Sequence, residues 1–121
     1  MNISVPEGWP VITPRIFTED PQGLVGFILN TFEAEGEYLS SRPSAISIGG
    51  SLVMISGIEF RGSFPACLYV YVADVDATYK RAIDGGAESL EEPQDTAYGD
   101  RRGIVGDSWG NIWQIASFKG R

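Results

Sequence analysis

The chain has 121 residues, no histidine and one cysteine, and its formal charge is 9 − 16 = −7. That composition excludes Ser-His-Asp and Cys-His catalysis, a two-His-one-carboxylate iron site, a multi-cysteine zinc site and an internal disulfide. The 43% apolar and 21% charged shares are those of one globular domain, not of a disordered chain.

Basic residues are scattered apart from Arg101-Arg102, so no nucleic-acid partner is expected. No apolar run nears the ~20 residues that cross a bilayer, so no membrane partner is expected either. The N-terminal residues lack a basic region before an apolar run. With the lone thiol, this gives the expectation of a leaderless, cytoplasmic protein.

In chain order, residues 11–18 mix β-branched and aromatic side chains and predict a strand. Pro14 cannot donate to a ladder, so this strand is an edge or is locally broken. Asp20 is a fitting N-cap and Pro21 suits the first helical position. Leu24, Phe27, Ile28 and Phe32 then make one apolar stripe, with Gly36 as the expected stop. Three short strands are expected at 37–41, 44–48 and 51–56, with turns at Arg42-Pro43 and Gly49-Gly50. After a looser stretch at 57–65, residues 68–73 predict a strand and Asp74 a second helix cap. Val75, Tyr79, Ala82 and Ile83 form that helix's apolar face, and Gly85-Gly86 ends it. Strands near 87–90 and 102–106 flank a polar loop at 91–99. A turn at 107–111 leads into the last strand, 112–118.

The order strand, helix, three strands therefore occurs twice, at an offset of 74 − 20 = 54 residues between the two aspartate caps. Two helices and eight strands make a single α+β domain of two βαβββ modules, about 10–57 and 66–118, with mixed, curved sheets. A helix on the outer side of each sheet leaves an inner side for the other module or a partner chain to fill.

The segment Leu68-Tyr69-Val70-Tyr71-Val72-Ala73-Asp74-Val75-Asp76-Ala77, then Gly85-Gly86-Ala87, carries a resemblance. So do Tyr98-Gly99-Asp100-Arg101-Arg102-Gly103 and Asp107-Ser108-Trp109-Gly110-Asn111. Together they resemble the vicinal oxygen chelate superfamily of glyoxalase I, bleomycin-resistance proteins and extradiol dioxygenases. The resemblance implies the glyoxalase/bleomycin-resistance fold with a cup-shaped cavity. Ser108 stands where the family usually has proline.

Family metal enzymes place ligands on four strands. Counting from the two caps and from Gly110, the first, third and fourth positions fall on Thr13, Leu68 and Gln114, and the second lies within residues 52–55, with Met54 as its candidate. These residues do not make a zinc, iron or manganese site, so no metal and no cofactor is expected. The members that the chain then resembles keep the cavity, lose the metal and sequester a compound.

With Thr13 facing the cavity, strand alternation brings Arg15 and Phe17 there and puts Ile12 and Ile16 under the helix; Phe17 could equally serve the core. Leu68 inward brings Val70 inward and turns Tyr69 and Tyr71 toward the helices. Gln114 inward leaves Trp113 and Ile115 on the other side. Phe60 and Phe64 in the connecting stretch, and Tyr98 and Arg101 near the expected mouth, are further ligand candidates. Trp109 either pins its turn or binds.

The expected function is a non-catalytic small-molecule binding protein of the bleomycin-resistance type, taking an aromatic or cationic compound. The alternatives are a metal-independent enzyme that uses a carboxylate or tyrosine, and an interaction module with a filled cup. A homodimer is expected for each.

Overall fold

The computed structural model describes residues 4–59 and 62–120. Among them run β1 (Arg15–Thr18), α1 (Pro21–Phe32), β2 (Ser44–Ile48), β3 (Ser51–Gly57), β4 (Cys67–Tyr71), α2 (Val75–Asp84), β5 (Glu88–Asp95), β6 (Asp100–Gly106) and β7 (Ile112–Phe118). The strands form two mixed sheets, ordered β1-β3-β2 and β4-β7-β6-β5. In each, the first strand of the half pairs parallel with the last, β1 with β3 and β4 with β7. The chain divides into two compact units: residues up to Leu29 with Glu33–Phe64, and Asn30–Phe32 with residues from Pro65 onward. The α+β class and the doubled plan are those expected. No helix among the described residues is long and apolar enough to cross a membrane.

In the first unit, Pro14 shortens β1. It has no N–H, and only its carbonyl joins the sheet, accepting from the Met54 amide at 2.9 Å. Ile12 lies outside the strand, 81% exposed, and so is not under the helix as expected. Ile16 is buried with Leu24, Val25 and Ile28 of α1 and with Ile46, Val53 and Ile55. Asp20 caps α1 by accepting from the Gly23 amide at 3.0 Å. The helix stops at Phe32, with Glu33 left-handed (φ 51°), before Gly36 is reached.

The strand expected at 37–41 is not formed. Glu35 and Ser47 exchange backbone hydrogen bonds of 2.9 and 2.8 Å, and the chain then leaves the sheet. The Leu39 amide is taken instead by the Ser44 hydroxyl at 2.8 Å, a local bond that competes with a ladder. Module one is therefore βαββ with an isolated bridge, and the described residues hold seven strands instead of eight.

In the second unit, Asp74 caps α2 by accepting from the Ala77 amide at 3.1 Å, and Val75, Thr78 and Ala82 are buried. β5 continues to Asp95 where a polar loop was expected. It is an edge strand with two register shifts, and such irregularities accommodate Pro93. Trp113, fully buried, packs on Phe32 with ring centroids 5.1 Å apart, and is core as expected.

Candidate functional site

Each sheet has a buried side and an open side. In the second sheet Leu68 pairs with Trp113, and Val70 with Ile115 and thence Gly103. This is the α2 side: a Cβ on Gly103 would lie 3.1 Å from the Tyr79 ring of α2. Leu68 and Val70 therefore leave the set of open-face candidates, which corrects the expectation. Tyr69 pairs with Gln114 and Tyr71 with Ala116, so both tyrosines stand on the open side that had been assigned to Leu68.

The reason is parity. Thr13 lies seven residues before its cap (20 − 13) and Leu68 six before its own (74 − 68), so one of the two had to face the wrong way. The 54-residue offset itself pairs Arg15 with Tyr69 (69 − 15 = 54).

The open face of the second unit is organised around Asp100, which is 1% exposed. Its Oδ2 accepts from the Tyr69 hydroxyl at 2.6 Å and the Tyr71 hydroxyl at 2.9 Å. The Tyr69 and Tyr98 hydroxyl oxygens are 3.2 Å apart. Tyr69 has one proton and it goes to Asp100, so Tyr98 is the donor in that contact. The Tyr98 oxygen in turn accepts from Arg102 Nη1 at 2.7 Å, while Arg102 Nη2 donates to Glu91 at 2.9 Å.

A directional chain results, from Arg102 through Tyr98 and Tyr69 to Asp100, with Tyr71 joining at its end. It holds three rings that are 37% (Tyr69), 59% (Tyr71) and 44% (Tyr98) exposed. Tyr98 stands on a turn closed by the Thr96 amide donating to the Asp100 carbonyl at 2.7 Å. The Tyr69 and Tyr71 rings lie 5.4 Å apart, tilted by 53°.

Electrostatics follow the chain. Burial, then the hydrogen bond to Asp100, pushes the Tyr69 phenol far above its ordinary value near 10, because a phenolate would face a carboxylate. Burial opposes the Arg102 charge, but the Glu91 carboxylate outweighs it and holds the guanidinium above its ordinary value. Asp100 Oδ1 and Arg102 Nε are buried without a hydrogen-bond partner.

Of the other expected residues, Gln114 is half-buried beside Tyr69, with Cys67 Sγ 4.0 Å from its Oε1. Arg101 lies on the α2 side and is clamped by Asp76 at 2.9 Å and Asp95 at 3.4 Å, so it braces the surface away from the tyrosines. Trp109 is half-buried in the 107–111 turn, its amide donating to Asp107 at 2.8 Å.

In the first unit, Arg15, Phe17 and Met54 share the side away from Ile16, with Arg15 opposite Met54. The Arg15 guanidinium lies 4.7 Å from the Phe17 ring centroid. Phe64, 62% exposed, is bridged through its backbone to Phe17. Thr13 is half-buried just ahead of β1, and Phe60 lies outside the described residues. Sequence reading missed Tyr69, Tyr71, Asp100 and Arg102; equal parity in the two halves was the signal that could have found the tyrosines.

The residues do not fit a resident metal. The equivalent pairs are Arg15 with Met54 and Tyr69 with Gln114, in which a guanidinium and a thioether are no ligands for a hard or borderline divalent cation. Among the described residues no three His, Cys, Asp or Glu side chains gather to hold one.

Two parallel-paired repeats of this topology, each with an aspartate-capped helix, define a class. The chain belongs to the glyoxalase/bleomycin resistance protein/dioxygenase superfamily, whose family model matches residues 17–115. Among particular proteins, it is similar to an uncharacterised protein of Mycobacterium bovis, 26% identical over 127 aligned positions that cover 88% of this chain and 82% of that one. Its fold is similar to that of TioX from Micromonospora sp. ML1, with a TM-score of 0.74, 22% identity, and coverage of 88% and 97% of the two chains. It is likewise similar to that of FosX, a fosfomycin resistance protein from Listeria monocytogenes solved with Mn(II) and sulfate. There the TM-score is 0.72 and the identity 18%, over 90% of each chain.

Proposed function

We propose that this protein binds a small aromatic or cationic compound on the open face of its second unit and sequesters it without altering it. The observation that carries this reading is the hydrogen-bonded chain Arg102–Tyr98–Tyr69–Asp100–Tyr71, which fixes three exposed rings in place before any ligand arrives. Rigid tyrosines give large contact area at low entropic cost, and their faces attract cations. The net charge of −7 favours the same ligands.

A metal-independent enzyme is the second reading, and buried Asp100, with its spare oxygen, is the feature in its favour. Against it, all three hydroxyl protons are already committed within the chain. Tyr69, held as a phenol, is a poor base near neutral pH. The protein is further proposed to act as a homodimer, the commonest closed assembly; sedimentation velocity giving only a 13.2 kDa species would reject that.

The test is a thermal-shift screen against cationic, aromatic antibiotics. A ligand at a hundred times its Kd stabilises by about 2.7 kcal/mol, and Tyr71→Ala weakens its binding roughly tenfold. If no compound raises the Tm and expression protects no cell, the proposal fails.

A further inference from the structure

We propose that the first unit carries a binding site of its own, for the carboxylate or phosphate group of a small anionic molecule. The inference does not rest on the tyrosine face. A cleft of about 360 Å³ opens in this unit, with Arg15, Arg42, Ser40, Ser41, Ser56 and Glu59 on its walls. That volume is at the small end of ligand pockets. The cleft exists because residues 37–41 leave the sheet: the loop held by Leu39 N to Ser44 Oγ forms one wall where a strand was expected.

The walls are rich in donors. Arg15 and Arg42 against Glu59 give 2 − 1 = +1, in a chain whose total is −7. Arg15 is held in position: Nε donates to Ser56 Oγ at 2.9 Å, and its guanidinium lies over the Phe17 ring. Its contact with Glu59 is long, 3.6 Å, and its side chain is still 37% exposed.

Ser56 is buried and accepts from Arg15, so its own hydroxyl proton is left to donate. Arg42 is exposed and has no hydrogen bond or ion pair to the described residues. Two guanidinium groups and serine hydroxyls on one cleft match a compact oxyanion, which accepts several charge-assisted hydrogen bonds at once. A cation would meet the arginines, and a purely apolar ligand would leave these donors unpaired.

The experiment is an NMR titration of the full chain with inorganic phosphate and, separately, with sodium acetate, each against sodium chloride at matched ionic strength. The Arg15 Nε–Hε resonance and the amides of residues 40, 41 and 56 are expected to shift and saturate with one of the two oxyanions and not with chloride. Saturation by phosphate points to a phosphorylated ligand, and by acetate to a carboxylate. Arg42→Ala, at an exposed site that leaves the fold intact, is expected to weaken that binding about fivefold. Arg15→Gln is expected to weaken it tenfold or more. Shifts that do not saturate, that chloride reproduces, or that Arg42→Ala and Arg15→Gln leave unchanged overturn the proposal. None of these outcomes bears on the tyrosine face.

Discussion

Asp107 accepts four hydrogen bonds: from the amides of Trp109 (2.8 Å) and Asn111 (2.9 Å), from Asn111 Nδ2 (2.9 Å) and from Trp113 Nε1 (2.8 Å). Asn111, almost fully buried, passes the connection on by accepting from the Ala66 amide at 2.8 Å. The Asp-Ser-Trp-Gly-Asn segment is thus a structural knot at the head of β7, which gives its likeness to the family pattern a structural cause. Asp107→Ala leaves two buried side-chain donors unpaired and is expected to cost about 3 kcal/mol, on the order of 10 °C in Tm by calorimetry.

Tyr69 gives a pH test at the same scale. Its phenol is held protonated in the fold well above the ordinary value near 10, so the unfolded chain loses that proton first. The contribution is complete below pH 10 and falls away as pH rises beyond it. Denaturant unfolding of wild type is expected to lose stability between pH 10 and 11, and Tyr69→Phe to lose less. At the acid end, the hydrogen bond from Arg101 holds the Asp76 carboxyl below its ordinary 3.8. That contribution is present above pH 4 and lost on acidification, so Arg101→Ala is expected to flatten the acid side of the stability profile.

At the scale of elements, both helices were legible because their caps are chemical: Asp20 with Pro21, and Asp74, each bond an amide three residues on. The hairpin at Gly49-Gly50 was legible because both residues take positive φ, 53° and 89°, as a tight primed turn requires. What failed was what tertiary context decides. The strand expected at 37–41 lost its ladder to a serine hydroxyl, and the polar segment 91–95 became a strand because β6 was there to pair with it.

Facing depended on a one-residue count, and the two halves were counted differently; an offset of 54 makes Tyr69 the counterpart of Arg15, on the side where the sheet pairs it with Gln114. Arg101 looked like a binding residue and Arg102 did not, because a sequence cannot show that Asp76 claims the first. Gly36 is an element-scale test: at φ 133° an added Cβ would lie 2.9 Å from the Ala45 carbonyl oxygen. Gly36→Ala is therefore expected to destabilise by about 2 kcal/mol, measured by urea unfolding.

At the scale of the molecule, the two halves share one plan, a capped helix and a first strand paired parallel with the last, with one strand fewer in the first, and they carry different chemistry. The first unit offers arginines and serines on a cleft; the second offers tyrosines over a buried carboxylate. Family membership follows from the match to the family model over residues 17–115, and a shared fold does not by itself fix an activity. The composition bears on both: the chain has no histidine, and Arg15 with Met54 at one of the equivalent pairs offers no hard donor to a catalytic cation there.

The central claim is binding without conversion. Its most direct measurement is equilibrium dialysis of the protein against a compound that raises its Tm, followed by mass analysis of that compound after prolonged incubation with and without Mn(II). The account predicts one retained, chemically unchanged ligand whose retention drops in Tyr71→Ala and is indifferent to the ion. Steady appearance of a product, or turnover that switches on with the metal, would contradict it.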